Sequence, residues 1–508
     1  MNDVPSLPLA DKPVRSALHN VAWNYAGHAL QLATNFGLTY FIVRHLSLAE
    51  YGLLVLITSL TVNIYLLDLG VSSVLVPQYV AARVEGGAAR LNDLLAVTFV
   101  LFAGMGSIGA LLMTGLAVIL PGPFKIPPQY VHDGSIAFLL AAITMQMALP
   151  TVAVEQVYQS AHRFDRLNQI RLFCTVMQLL LTIAALLMGY RVIGLVAVQS
   201  ILACLQVVLL LALLPATVPG ARLRFRNMQW QLLSGLSRPG RWAFLHNLGT
   251  SIFDIGAWLP LGALTSIREL ALYGLALKLP KQTWNLVDKG ANVLLPGLAR
   301  AHAEGNRSRL REIFLAEQTL LVGAVFPIAV LGCVFAVPIL KFWAGESYVA
   351  AAPALRWLLL WIFGQCIAYP SNELLYACGQ VRQSAIFSLV TSGVALVPVL
   401  LLTPRDGAAG LAASIACAQI LVACPLFLAA GLRQSGATAL NLLRAAVRGM
   451  PLPIAILFLA LAVVQIFAPH LPPLALLLAG AACGLLYFAF WGRSTALPLY
   501  RNRVEAEP

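Results

Sequence analysis

Three of the six lysines in this 508-residue chain, Lys278, Lys281 and Lys289, fall within twelve residues of one another, and the same apolar stretch carries Asn285 and Asp288. At the centre of a membrane helix a lysine or aspartate costs roughly 2.5–3.5 kcal/mol on insertion scales, where leucine gains about 0.5. Several such groups on one helix therefore need an aqueous or protein-lined face. At 3.6 residues per turn, positions 278, 281, 285 and 288 fall near one face, which leaves Leu275, Leu279 and Leu286 to pack elsewhere. Ammonium groups so placed would bind a diphosphate or an acidic sugar as point charges, without fixed geometry. The alternative is interhelical pairing, for example with Asp254, while Lys289 reaches a surface along its alkyl stem.

Asp68, Glu155, Asp254 and Glu373 each stand alone in an apolar run. Such carboxylates are candidates for carrying a proton or a sodium ion. Glu155 and Glu373 serve equally well as anchors between helices or to a loop, and Asp68, beside Gly70, as the end of a helix. Asn24, His28 and Asn35, one after another on the first apolar run, would hydrogen-bond sugar hydroxyls or neighbouring helices. Gly27, Gly37 and Gly52 suit close helix packing. The eight cysteines are scattered singly with no C-x-x-C spacing, which describes small core residues rather than disulfide or metal ligands.

These residues are carried on membrane helices. Sixty per cent of the chain is hydrophobic and 10% charged, mean hydropathy is +0.83, and the apolar residues come in runs of about twenty rather than in alternation. The pattern predicts an all-α integral membrane protein of about fourteen spans: 18–43, 51–80, 95–120, 135–158, 172–189, 193–214, 242–264, 270–297, 315–340, 355–377, 384–402, 407–431, 450–468 and 472–491. On that plan 23 of the 33 Lys and Arg residues lie with the termini and every second loop, seven on the other side, and three inside span eight. Cytoplasmic loops accumulate Lys and Arg, so both termini are expected in the cytoplasm. Topology thus accounts for the +13 charge, and nucleic acid is not an expected partner.

An internal repeat of about 219 residues runs through the chain. Trp23 matches Trp242, and Tyr51-Gly52 matches Tyr273-Gly274. The loop ARVEGGAARLNDLL (82–95) matches AHAEGNRSRLREIF (301–314), and Glu155-x-x-Tyr158 matches Glu373-x-x-Tyr376. A duplicated six-helix unit has parallel halves, with a solute path between them. The expected organisation is a six-helix lobe over 1–216, a linker over 217–241, a second lobe over 242–432, and two further spans with a tail over 433–508.

The stretches LSLAEYGLLVLITSL, GVSSVLVPQYVAAR, YQSAHRFDRLNQIRLF and ELLYACGQVRQSAIFSLV, in that order and spacing, resemble the Wzx-type polysaccharide flippases of the multidrug/oligosaccharidyl-lipid/polysaccharide exporter superfamily. The resemblance implies a multi-pass protein of the bacterial inner membrane that moves a polyprenyl-diphosphate-linked oligosaccharide between leaflets. It implies two six-helix lobes around a central cavity, a lipid-linked glycan and membrane lipid as partners, and work alongside a polysaccharide polymerase and export machinery.

An enzyme is not expected. No D-x-D triplet of a glycosyltransferase and no G-x-x-x-x-G-K-[ST] loop occurs, and the longest segments on the side away from the termini, around 121–134 and 341–354, have only about fifteen residues. No cofactor is expected beyond H+ or Na+ as a coupling ion. An ion-coupled multidrug exporter of the same superfamily is the alternative carrier, although the span-eight lysines suit an anionic substrate better. A membrane scaffold of envelope synthesis is the alternative that transports nothing.

Overall fold

The computed structural model describes residues 34–62, 68, 70–119, 124–225, 228, 245, 248, 260–291, 295–467 and 471–496. Trp23, Asn24, Gly27, His28, Trp242 and Asp254 lie outside them. The described chain is helical throughout: α1 (34–45), α2 (Leu48–Val62), α3 (Ser72–Ile119), α4 (Pro128–Ser160), α5 (Phe164–Leu187) and α6 (Arg191–Thr217) form the first half. The second half has α7 (Ile267–Ala291), α8 (Leu295–Ala303), α9 (Arg307–Val334), α10 (Ala336–Trp343), α11 (Ala352–Ala377), α12 (Val381–Ala418) and α13 (Cys424–Ser435). They are followed by α14 (Ala439–Gly449), α15 (Pro451–Phe467) and α16 (Pro473–Trp491). Among the described residues, eight helical segments are long and apolar enough to cross a membrane, with α2 and the α15 region shorter apolar helices beside them.

Several span limits differ from the sequence reading for identifiable reasons. Span two is interrupted at Asp68 and Gly70, the latter left-handed (φ +78°), and its second part runs straight into α3. α3 is two helices folded back at Gly86 and Gly87, since Tyr79 and Thr98 touch at 2.6 Å although nineteen residues of straight helix would span about 28 Å. Span nine ends at Val334, and the apolar residues after it form the separate short helix α10. Spans eleven and twelve meet at Gly407, whose φ of +54° interrupts α12. The basic stretch 433–448 is not a plain loop: Thr438 caps α14, and its Leu440 and Leu443 repeat at helical spacing between polar positions.

The repeat is visible as matched joints. Ser47 and Glu50 form a capping box at the start of α2: Glu50 accepts from the Ser47 amide at 2.8 Å and from its hydroxyl at 2.7 Å. Ser266 and Glu269 stand at the same place before α7, 219 residues on. Glu50 then pairs with Arg191 at 3.0 Å, at the start of α6, while Glu269 accepts from the Ala408 amide at 2.8 Å, just past the Gly407 joint. In each half, therefore, one glutamate ties the second span to the start of the sixth. α2 and α7 also begin at the same end of the molecule, so the halves are parallel. α15 and α16 lie outside the repeat and pack on α9, where Tyr487 donates to the Gly323 carbonyl at 3.0 Å.

Candidate functional site

The main seam between the halves is the crossing of α2 and α7. An ideal Cβ on Gly52 would fall well inside contact distance of the Ile267 carbonyl oxygen and 3.0 Å from its carbonyl carbon. A Cβ on Gly274 would lie 2.6 Å from Val55. Glycine at these two positions is what lets the helices touch, as expected of Gly52. Among the described residues Gly37 does not share the role, because none of them lies within 4 Å of its would-be Cβ.

Burial then changes along both helices. α2 is buried from Glu50 to Ile57 and reaches 66% exposure at Val62; α7 is buried from Leu270 to Ala276 and exposes Lys278, Lys281 and Asn285. The helices thus part as they run toward the end that carries Arg83, Arg163, Arg300 and Arg307, and a cleft opens between the halves. Lys278 and Lys281 are both exposed on this stretch of α7. Asn285 donates to the Gln282 side chain at 3.4 Å, which keeps this face polar for a further turn. Leu275 and Leu279 pack inside as expected, whereas Leu286 is 44% exposed and continues the open face.

Asp288 differs from the lysines above it. Its carboxylate accepts a 2.7 Å hydrogen bond from the Tyr369 hydroxyl of α11, and so turns toward the interior of the second half. One helical turn beyond Tyr369, Glu373 is 8% exposed, within hydrogen-bonding reach of that hydroxyl and within electrostatic reach of Asp288. Among the described residues its Oε2 has no hydrogen-bond partner. Trp284 packs its ring edge-on to Tyr369, centroids 4.8 Å apart. Asp288, Tyr369 and Glu373 thus form an acidic cluster where α7 meets α11. The structure thus brings Asp288 and Glu373 together through Tyr369, which the sequence reading did not single out. The signal was available, since Tyr369 and Glu373 are spaced i, i+4 on one helix.

The remaining carboxylates are engaged differently. Glu155 pairs with Arg171 of α5 at 2.6 Å and accepts from Gln206 of α6 at 3.0 Å, so it ties three helices of the first half together. Asp68 is 4% exposed, accepts from the Gly70 amide at 2.6 Å and from the Ser72 hydroxyl, and so closes the break in span two. Asn35 is half-buried, and its carbonyl accepts from Thr39 at 2.8 Å. The side chain of Lys289 is outside the described residues. Glu317 of α9 is fully buried and was missed, although an acidic residue within the run LAEQTLLVG is as visible as those that were named.

The eight cysteines are unpaired, with Cys174, Cys366, Cys424 and Cys483 buried. No group of metal-ligating side chains occurs among the described residues.

Residues 41–353 match the protein family described as "Polysaccharide biosynthesis protein". No curated protein matches the chain. Among solved structures it is similar to an inward-facing multidrug resistance MATE family transporter of the MOP superfamily, at 13% identity over 80% of this chain and 95% of that one, with a TM-score of 0.70. It is also similar to the lipid II flippase MurJ in an inward closed conformation, at 12% identity over 92% of this chain and 98% of that one, again with a TM-score of 0.70. An outward-facing MATE structure superposes with a TM-score of 0.57 at 14% identity, over 81% and 94% of the two chains. At these identities the likeness carries the fold: two helical halves around a central path. The proteins of that fold named here are transporters and a flippase rather than enzymes.

Proposed function

We propose that this chain, which belongs to the polysaccharide biosynthesis protein family, is a flippase that carries a polyprenyl-diphosphate-linked oligosaccharide across the bacterial inner membrane by alternating access. The observation that carries the reading is the cationic face of Lys278 and Lys281 in a cleft open toward the Arg-rich end. An anionic head group entering from that end meets Arg-bearing loops first and the two ammonium groups next, while its apolar tail stays in lipid. The polymerase and export machinery of a surface polysaccharide would take the product. The Arg-rich end and both termini face the cytoplasm on this reading; impermeant thiol labelling from the opposite side at positions near Arg83, Arg307 and Arg444 would overturn the orientation.

Coupling to H+ or Na+ falls on the Asp288, Tyr369 and Glu373 cluster. Two carboxylates so close together favour a bound cation or a shared proton. The first half offers no such place at the matching glutamate, since Glu155 is already neutralised by Arg171. The same cluster favours the alternative reading of a multidrug exporter driven by cations, so the lysines decide between the two.

The test is flipping of a lipid-linked oligosaccharide in reconstituted vesicles. K278Q/K281Q should insert normally and lose most flipping, and K278R/K281R should retain part of it, because charge matters more than shape for point-charge binding. Parental flipping by the glutamine variant would defeat the assignment. Export of cationic drugs with no lipid-linked substrate moved would establish the alternative.

A further inference from the structure

Phe124 lies in the short connection between α3 and α4, yet it is only 6% exposed. Its ring reaches into the other half: a Cβ on Gly262, just before α7, would sit 2.5 Å from Phe124 Cε1. The backbone bends to place it, because the next residue, Lys125, is a non-glycine with φ +48°.

The residue 219 positions later is Trp343, the last of α10, in the corresponding connection of the second half. It too crosses to the other half. Its Nε1 donates to the Phe36 carbonyl of α1 at 3.1 Å, and its ring sits 5.1 Å from that of Phe36. Arg44 of α1 donates to the neighbouring Phe342 carbonyl at 3.4 Å. A left-handed residue again follows, Gly345 at φ +95°. The short 3-10 helix Glu346–Ala351 after it is tied back by the Lys341–Glu346 ion pair and sets Tyr348 edge-on against Tyr51, with ring centroids 5.8 Å apart.

We infer that Phe124 and Trp343 are a repeat-related pair of aromatic pegs that hold the halves shut at the end away from the Arg-rich loops. Each half inserts its peg into the span that precedes the α2 or α7 seam of the other. The cleft opens at this end only when both pegs leave their seats, so neither half rotates alone. The gate thereby closes by a reciprocal exchange of side chains, and the seam glycines Gly52 and Gly274 lie directly beneath it. The inference rests on alternating access but not on the identity of the solute.

Hydrogen–deuterium exchange of the full chain in lipid nanodiscs tests it. In F124A and in W343A the amides of Glu50–Ile57 and Leu270–Ala276 should exchange several-fold faster than in the parent, and in the double variant about tenfold faster or more. α5, remote from the pegs, should keep parental rates. Unchanged exchange at the seam in a folded double variant overturns the inference, as does acceleration spread equally over α5. Should the alanine variants fail to fold, F124L and W343F are read instead: partial acceleration confined to the seam supports the pegs, and parental rates overturn them. The readout involves no substrate, so loss of flipping with normal seam exchange would count against the proposed function and leave the pegs standing.

Discussion

Replacing Gly52 by alanine adds one methyl group where the structure has room for none. That Cβ would stand 3.0 Å from both the Ile267 carbonyl carbon and Ile267 Cγ1, and closer still to the carbonyl oxygen. Most of the obstacle is backbone, which cannot rotate aside as a side-chain tip can, so α2 and α7 must separate by about an ångström. Overpacking of this kind costs about 1–3 kcal/mol. In a folded carrier the strain is relieved by opening the seam, so the cost falls on the closed arrangement and leaves the open one untouched. A bias of about 1–3 kcal/mol shifts a two-state population by roughly 5- to 150-fold. The assay is the rate at which N285C, deep in the cleft, reacts with an impermeant thiol reagent added from the side opposite the Arg-rich loops. G52A should raise that rate by at least about fivefold, while G37A, which adds its methyl to open space, should not change it. An unchanged rate in folded G52A, or an equal rise in G37A, would refute the reasoning.

The two matched glutamates should separate in their effects. E155Q weakens the tie to Arg171 and should lower thermal stability in detergent by about 1 kcal/mol, since Arg171 stays half in solvent, with transport per folded molecule kept. E373Q should leave stability nearly unchanged and abolish the response of flipping to an imposed ion gradient; a preserved response would remove the cluster from the coupling scheme. At the span-two break, D68A gives up the bonds to the Gly70 amide and the Ser72 hydroxyl and should cost about 1–3 kcal/mol of stability, whereas D68N keeps an acceptor for Gly70 and should cost less. Equal stability of D68A and the parent would show that the break is held by something else.

The helices themselves were legible because a membrane allows few alternatives. A run of twenty apolar residues must satisfy its backbone internally, and a helix does so. The parallel repeat was legible through Tyr51-Gly52 and Tyr273-Gly274, where the close approach of α2 and α7 leaves room only for glycine. The lysine face was legible because charge on a membrane helix needs water or a partner, and Lys278 and Lys281 are both exposed on α7. What could not be read was the third dimension between helices. Nothing in hydropathy distinguishes α10 from the end of span nine, because a short interfacial helix and a membrane span share composition. Nor does the sequence say that Asp288 turns from the lysines to Tyr369, since 81 residues separate the two. Glu155 and Glu373 look alike in sequence, and only the arrival of Arg171 and Gln206 at one, and of Tyr369 and Asp288 at the other, sets them apart.

That divergence bears on how a duplicated carrier acquires a direction. The joints that both halves keep are mechanical: the Ser-x-x-Glu caps at Glu50 and Glu269, the seam glycines, and the aromatic residues at 124 and 343. On the proposed alternating-access mechanism they would give two similar bodies that pivot on one seam. The groups that differ are the charged ones. Aligned with the lysine face of α7, the second span of the first half has Leu56, Ser59 and Asn63 in place of cations. Its glutamate is spent on an ion pair, while that of the second half sits in the acidic cluster where α7 meets α11. If both halves carried lysines and open carboxylates, an anionic head group and a cation would each find two equivalent sites, and occupancy of one would not report on the other. With both kinds of group on the second half, the face of α7 proposed to hold the anion is continuous, through Asp288, with the acidic cluster proposed to hold the cation. Filling that cluster changes the charge at the end of the lysine face by a unit within a few turns of helix. An ion gradient then has a physical route to the affinity for the head group, and the symmetric scaffold supplies only the motion.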